Sequence, residues 1–285
     1  MWRLTYAFGY GPFDTSHVAT CPDVAPIECG QQAIPDHRHV VRLNLYHSEL
    51  TAGYGLSATT LLLARLPYDV KDQHVRYTTL DGQPFVPPYG DIHHRTETLR
   101  GFSDAELMAI FSPAPGWLLG GGFTLPIGKT EENPIALGNL GLKHEHIQFG
   151  TGTVDPRFLL GWSRAFGRVG VDALADARLP LYENGHGYKG PITVQYKAGP
   201  GMVFGRAAVT LAWAGQYQSI ARWNGEKDEG TGFHNGGVFL GLSLNLGKGF
   251  QAAPGVYREV FSHSLSGETF HQGTTWSLAI SRVFP

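Results

Sequence analysis

Hydrophobic and polar residues alternate with a period of two along most of the chain. Between Val238 and Leu246, a valine and four leucines occupy every second position, and Phe, Gly, Ser and Asn lie between them. The segments 169–181 and 273–284 repeat this alternation. Successive side chains of a β-strand point to opposite faces, so a period of two is typical of strands. The segment 102–111 also predicts a strand but leaves open which face is polar.

The alternation predicts twelve strands, separated in turn by short and long connections. The strands lie near residues 2–10, 38–48, 54–66, 102–111, 116–127, 155–165, 169–181, 190–199, 204–219, 236–247, 249–260 and 273–284. Transmembrane β-barrels have short periplasmic turns and long extracellular loops. We therefore predict an all-β fold, an antiparallel transmembrane β-barrel of about 12 strands (range about 10–14), as a single outer-membrane domain over residues 1–285.

Soluble all-β folds are the alternative, since their strands also alternate. Propeller blades repeat a signature every ~40–50 residues, and the sequence contains no such repeat. Sandwich strands are typically nearer ~5–6 residues, and a sandwich does not predict alternating loop lengths. The connection pattern therefore favours the barrel.

Composition supports a protein that does not face water on all sides. Charged residues make up 16% of the chain and there are 38 glycines, against averages of ~25% charged and ~7% glycine. The net charge of −2 argues against a nucleic-acid partner. The Gly-Lys-Thr at 128–130 lacks the preceding glycine that a phosphate loop needs, because Phe123 stands there. No cofactor is predicted.

The two cysteines, Cys21 and Cys29, lie in a proline-rich segment without strand periodicity. An isolated pair in an exported protein predicts a disulfide that closes a loop, here the first extracellular loop; two unrelated thiols are the alternative. The N-terminal residues lack the basic region and apolar core of a secretory signal. This predicts either an intracellular protein or a start that is not the start of the precursor.

Polar side chains on the face opposite the apolar one are expected to line the barrel lumen, because a lipid-facing charge at the membrane midplane costs roughly 2–4 kcal/mol. The predicted lumen-lining residues are Arg42, Asn44, Arg65, Asp172, Asp176, Arg178, Gln195, Lys197 and Asn245. Two arrangements stay open. The residues line a pore, or they pair with each other and plug a structural barrel.

Three segments carry a resemblance to a known family. They are GFSDAEL at 101–107, LPIGKTEENP at 125–134 and HIQFGTGTVDPRFLLGWSRAFG at 146–167. Together they resemble the outer-membrane transporters labelled "meta-pathway of phenol degradation", which are related to the fatty-acid-channel barrels. The resemblance implies an outer-membrane channel with small hydrophobic or aromatic solutes among its substrates. It supplies no catalytic or binding residues.

The predicted function is therefore passive uptake of small molecules across the cell outer membrane. The expected partners are outer-membrane lipid, small-molecule solutes and the barrel-assembly machinery that inserts such proteins. A plugged structural barrel and a barrel enzyme that hydrolyses lipid are the alternatives. For the enzyme, Ser262 and His263 are the candidate pair, but neighbouring residues in a strand point in opposite directions and would not pair directly.

Histidines in two predicted loops are candidate metal ligands. His93 and His94 lie in one long loop, and His144 and His146 lie in another loop on the same rim. Imidazoles bind zinc, copper and nickel. No tight ligand spacing recurs in the sequence, so no metal site is predicted, and solvated loop histidines are the favoured interpretation.

Overall fold

The computed structural model describes residues 1–19, 34–88, 92, 94–228, 230–266 and 269–284. Cys21, Cys29 and His93 lie outside these residues, so the disulfide stays a prediction. The strands are β1 (Trp2–Ala19), β2 (His37–Gly55), β3 (Thr60–Thr79), β4 (Glu97–Phe102), β5 (Ala105–Phe111), β6 (Trp117–Leu125), β7 (Pro156–Phe166), β8 (Val169–Arg178), β9 (Tyr188–Lys189), β10 (Thr193–Phe204), β11 (Ala207–Gln218), β12 (Ala221–Trp223), β13 (Glu226–Asp228), β14 (Phe233–Gly247), β15 (Phe250–Ser264), β16 (Thr269–Gln272) and β17 (Thr275–Phe284). One short helix, α1 (Pro134–Asn139), is described.

Twelve strands form a closed antiparallel barrel. Their order is β1, β17, β15, β14, β11, β10, β8, β7, β6, β5, β3 and β2, and β2 pairs with β1 again. Trp2 lies opposite both Phe284 and Tyr54, so the first strand joins the last strand and the second. β4 continues the line of β5, and β16 continues the line of β17. The predicted twelve-stranded barrel is confirmed.

Short turns gather at one end of the barrel, the short-turn end. They comprise residues 56–59, 112–116, 167–168, 205–206 and 248–249. Gly167 and Gly205 open two of the two-residue turns with φ of 66° and 60°, in the left-handed region that such hairpin turns require. Longer connections gather at the opposite end, the long-loop end, where β9, β12 and β13 form a separate small sheet.

Several predicted strand limits were wrong, the largest differences being at β1 and β3, which continue to Ala19 and Thr79 instead of ending near residues 10 and 66. β2 continues through Gly53 and Tyr54, which pair with Arg3 and Trp2 of β1, so the turn to β3 comes later than expected. β10 continues through Pro200 to Phe204, although the predicted strands 190–199 and 204–219 placed a turn between them. Pro200 lies opposite Val171 in the ladder, so the residues of the predicted turn lie within the strand.

Besides the register shifts between β14 and β15, two β-bulges that lie opposite prolines reverse the alternation along a strand line. The pairings Tyr68–Phe102 and Arg65–Glu106 leave one extra residue on the β4–β5 side. Opposite this bulge stands Pro67, whose carbonyl accepts from Ser103 N at 3.1 Å. Because a bulge shifts every later side chain to the other face, the segment 102–111 does not keep one polar face.

The second bulge lies between β16 and β17, where one extra residue again stands on one side of the ladder. Gly273 N donates to the Pro12 carbonyl at 2.8 Å, so a proline again lies opposite the extra residue. Proline cannot donate to the sheet ladder and is found at such irregularities.

The outer face carries an apolar belt made of large exposed side chains. On β1 this belt consists of Trp2, Leu4, Tyr6 and Phe8. An exposed apolar surface of this extent is stable against lipid and not against water. None of the described helices is long and apolar enough to cross a membrane.

The wall formed by β1, β2 and β3 is taller than the belt. These strands have 18, 19 and 20 residues, whereas β6 and β8 have 9 and 10. A tilted strand needs about 9–11 residues to cross a bilayer. The upper halves of β1–β3 therefore extend beyond the membrane, and their outer face is polar there, with Asp72 bonded to His74 and Thr98.

Candidate functional site in the barrel lumen

An ion-pair network crosses one side of the lumen. Arg157 of β7 bonds to Glu106 of β5 and to Asp176 of β8. Arg65 of β3 lies 3.2 Å from Glu106, 3.9 Å from Asp176 and 4.0 Å from Glu49. The side chains of Arg157, Glu106 and Asp176 are only 10%, 15% and 13% exposed. Two arginines thus pair with three carboxylates and offset most of their charge, which is what allows these charges to lie inside the barrel.

A central cavity of about 320 Å³ adjoins this network. Its charged lining is Arg65, Asp176 and Lys197, and its amide lining is Gln195, Gln216, Asn235 and Gln272. Asn235 Nδ2 donates to Gln272 Oε1 at 3.0 Å and to Glu259 Oε2 at 3.2 Å. The central cavity is therefore polar around much of its perimeter.

An upper cavity of about 360 Å³ lies towards the long-loop end. Six of its lining residues are large and apolar: Phe13, Leu43, Leu45, Phe149, Phe233 and Phe270. Phe233 and Phe270 stack with ring centroids 4.2 Å apart, and Phe13 lies 5.6 Å from Phe270. A concave site lined by aromatic side chains suits a small apolar ligand.

The two cavities are stacked along the barrel axis. Residues two positions apart on one strand line different cavities. On β14, Phe233 lines the upper cavity and Asn235 lines the central one. On β11, Gln218 lines the upper cavity and Gln216 lines the central one. Two residues of strand span roughly 7 Å. A third cavity of about 290 Å³, named here the lower cavity, shares Leu174 and Lys197 with the central one and continues towards the short-turn end.

The segment 144–155, named here the inner loop, forms one wall of the upper cavity. Asp104 holds it: Oδ2 accepts from Thr151 N at 2.8 Å, and Oδ1 accepts from Gly128 N at 3.0 Å. A Cβ on Gly150 would lie 2.2 Å from Asp104 Oδ1, so this approach requires glycine. Thr151 Oγ1 also donates to Asp155 Oδ2 at 2.7 Å.

Two cations fasten the rest of the inner loop. Lys71 Nζ donates to the Gln148 carbonyl at 2.6 Å and lies 4.4 Å above the Phe149 ring. Arg95 Nη1 donates to the His144 carbonyl at 2.7 Å. The inner loop is thus a fixed part of the lumen wall.

The predicted lumen residues are distributed over the three cavities. Arg178 lines the upper cavity, Arg65, Asp176, Gln195 and Lys197 line the central one, and Asp172 lines the lower one. Asn245 shares the face of Phe239, whose ring lies 5.1 Å from Lys197 Nζ. Sequence reasoning missed Glu49, Glu106 and Arg157, although opposite charges at inward positions of neighbouring strands were a usable signal.

The prediction for Arg42 and Asn44 was wrong. Both have the parity of Leu50 and Tyr54, which are exposed on the outer face. Asn44 Oδ1 accepts from Tyr10 OH at 3.2 Å, also on that face. Leu43 and Leu45 point inward instead and line the upper cavity. In this part of β2 the apolar residues therefore face the lumen and the polar residues face outward. The reason is that the inner side chains line the upper cavity here, and the outer face is in contact with water because the strand extends beyond the membrane.

Ser262 and His263 do not form a nucleophile–base pair. Ser262 lies opposite Asn235 and His263 lies opposite His234, so the two side chains occupy opposite faces of β15. The side chains of Ser262 and His263 are therefore separated, as expected for neighbouring residues of a strand.

Histidines gather at the long-loop end. The ring of His94 lies 5.2 Å from that of His146, and His144 lies 5.2 Å from His146. Around them the structure adds His17, His37 and His39, which sequence reasoning missed. Burial is the main cause that lowers the pKa of His39 to about 2 and of His146 to about 3. The His39 and His146 rings are therefore neutral at physiological pH.

Comparison with known proteins supports the fold. No family model matches the chain, and no curated protein is similar to it in sequence. An outer membrane channel from Pseudomonas putida F1, described as COG4313, is similar in structure with a TM-score of 0.59 and 12% identity, over 99% of this chain and 95% of the other. The CymD monoaromatic hydrocarbon channel matches with a TM-score of 0.49 and 8% identity, over 98% and 88%. A Pseudomonas aeruginosa FadL homologue matches with a TM-score of 0.48 and 11% identity, over 99% and 90%. The chain has the barrel fold of an outer membrane channel.

Proposed function

We propose that the protein is an outer-membrane channel for passive uptake of small apolar molecules, aromatic ones included. The upper cavity is the observation that carries this proposal. Porin lumens are polar and filled with water, whereas here four phenylalanines and two leucines face inward at one height. These side chains give a neutral apolar solute an apolar wall to bind, while Lys71, Arg178 and Asp228 form the charged part of the lining. The long-loop end would face the cell exterior.

The stacked cavities supply a route towards the short-turn end. A solute leaving the upper cavity meets the amides and ion pairs of the central cavity, then the lower cavity around Asp172 and Leu174. Ions would meet a lumen of mixed sign and, in the upper cavity, the phenylalanine and leucine side chains. Neutral solutes are therefore the favoured cargo. Channel activity is also consistent with the similar outer membrane channel from Pseudomonas putida F1.

The kinship with phenol-pathway transporters is the finer part of the proposal. The three segments that carry the resemblance meet at Asp104, which bonds to Gly128 and to Thr151. The shared residues would then serve to hold the inner loop against the upper cavity. Membrane insertion by the barrel-assembly machinery is part of the same proposal.

A plugged structural barrel is the second candidate. The fixed inner loop and the ion-pair network favour it, because both narrow the lumen. The two functions differ in whether solute crosses.

Uptake of radiolabelled toluene by Gram-negative cells that express the protein and lack other apolar channels tests the proposal. We expect faster uptake with the wild-type protein than with the empty vector, and most of the gain lost with Phe270→Gln, which makes the upper cavity polar. Phe158→Leu is the matched control, because Phe158 lies on the lipid face. Uptake equal to the empty vector, with folded barrel present in the membrane, would favour the plugged barrel.

A further inference from the structure

Three histidines from separate parts of the chain converge above the membrane. His17 of β1 and His39 of β2 lie directly opposite each other in the ladder. His94 belongs to the connection between β3 and β4. One ring nitrogen from each residue lies within 4.8 Å of the other two.

Further imidazoles surround this trio. His37 Nε2 lies 3.1 Å from His39 Nε2, since residues two apart on a strand share a face. The His146 ring lies 5.2 Å from that of His94. The Tyr77 and Phe85 rings complete the surroundings, 4.9 Å from His39 and 4.8 Å from His37. The donors are thus imidazoles within a partly apolar pocket, with His39 fully buried.

A donor set made of imidazoles selects a class of metal. Zinc, copper and nickel bind imidazole, whereas calcium and magnesium prefer oxygen ligands. In a tetrahedral zinc site with metal–nitrogen bonds of about 2.0–2.1 Å, two nitrogens lie roughly 3.4 Å apart. His37 and His39 already have such a spacing. The trio would contract by about an ångström, and His94, on a loop, can supply that movement.

We propose that the long-loop end holds a divalent transition-metal site whose ligands are His17, His39 and His94, with His37 or His146 available as a fourth. The ion joins the tall wall of β1 and β2 to the connection before β4. It also lies beside the inner loop, through the contact of His94 with His146. Metal binding therefore fastens the loops over the upper cavity.

The experiment is equilibrium dialysis of untagged, refolded, EDTA-treated protein against Zn²⁺, Cu²⁺ or Ni²⁺, with the metal per chain measured by mass spectrometry. We expect about one tightly held ion per wild-type chain. His39→Gln and His94→Gln should each lower the affinity by at least about tenfold, the lower end of what disturbing a metal site costs. His186→Gln is the control, because it removes a histidine from a different long loop.

Folding is checked for each variant by the faster migration of unheated barrel on a gel. If His39→Gln does not fold, His94→Gln decides, since its side chain is on a loop and not in the barrel wall. Absence of bound metal in the wild type overturns the proposal. So does metal binding that the His39 and His94 substitutions leave unchanged, because the ion would then be held elsewhere.

Discussion

The upper and central cavities lie one strand step apart but differ in which large side chains face them: phenylalanines and leucines are frequent in the upper one, and amides in the central one. Phe233 faces the upper cavity, and Asn235, two residues further along β14, faces the central one. Phe270 and Gln272 of β16 repeat the change at the same height. Strand alternation therefore decides which residues face the lumen, and position along the barrel axis decides whether the lumen is apolar or polar.

Each cavity has its own means of staying stable. The inner loop, held by Asp104, Lys71 and Arg95, forms one wall of the upper cavity and contributes Phe149 to its apolar lining. The central cavity keeps its charges because Arg65 and Arg157 pair with three carboxylates. Disturbing the ion pairs should therefore mainly lower the free energy of unfolding of the barrel. Disturbing the inner loop should mainly change how easily ions and solutes enter the lumen.

The largest expected effect comes from Arg157→Met. This change leaves Glu106 and Asp176 in the lumen without their closest cation, and breaking a buried pair in this way typically costs about 3–5 kcal/mol. We expect the free energy of unfolding, measured by urea titration in lipid vesicles, to fall by an amount of this order. Arg164→Met is the control, because Arg164 lies on the outer face over the Phe166 ring. Equal losses in both variants would contradict a structural role for the network.

A smaller loss of stability is expected from Asp104→Ala, together with a larger effect on access. The change removes the acceptor of the bonds from Gly128 and Thr151, at a cost of about 1–3 kcal/mol for the donors left unpaired. The inner loop should loosen, and single-channel conductance in a planar bilayer should rise. Asp81→Ala, at an exposed carboxylate of another loop, should leave conductance unchanged. Unaltered conductance in Asp104→Ala would mean that the inner loop does not limit the path.

The fold was predictable to the extent that the membrane imposes one rule on every strand. A lipid-facing side must be apolar, so alternation and loop lengths identified all twelve strands. The rule fails where the lipid ends, which is why Arg42 and Asn44 were assigned to the wrong face. It also fails at bulges, because the extra residue opposite Pro67 or Pro12 is visible only once the strands are paired.

The site was predictable in part. Arg65 and Asp176 were identified because charges are costly outside the lumen, but their partners Glu106 and Arg157 depend on which strands are neighbours. The histidine cluster combines His17, His39 and His94, which are far apart in sequence and carry no ligand spacing. The pairing of β1 with β2 and the course of the connection after β3 bring them together.

Conductance should also depend on pH, through a carboxyl group of the inner loop beside the upper cavity. Burial, followed by the nearby Glu97 carboxylate, raises the pKa of Glu145 in the inner loop to about 7. A carboxyl group whose pKa is raised in the folded loop stabilises that loop fully at pH values below its ordinary pKa. This stabilisation is lost as the pH rises through the raised pKa of the folded loop. Conductance should therefore increase modestly between about pH 4.5 and pH 7 as the inner loop loosens, and level off above pH 7.

Glu145→Gln tests the origin of this pH effect. The amide does not titrate, so conductance should become nearly independent of pH over this range while the ion pair of Arg95 with Glu97, 2.7 Å apart, is retained. A slope that persists in Glu145→Gln would assign the pH effect to another group.

The smallest expected effect distinguishes two aspartates on the same face of β8. Asp172 is exposed in the lower cavity, whereas Asp176 is paired with Arg157 and lies near Arg65. Asp172→Asn removes a solvated negative charge, so the cation-over-anion permeability ratio should fall slightly, with the unfolding temperature unchanged. Asp176→Asn should lower the unfolding temperature instead, because it leaves the two arginines with less compensating charge. Reversal potentials in a salt gradient, recorded beside thermal unfolding for both variants, measure the difference. If Asp172→Asn leaves the reversal potential unchanged, then ions do not pass this carboxylate, and the lower cavity does not belong to a conducting path.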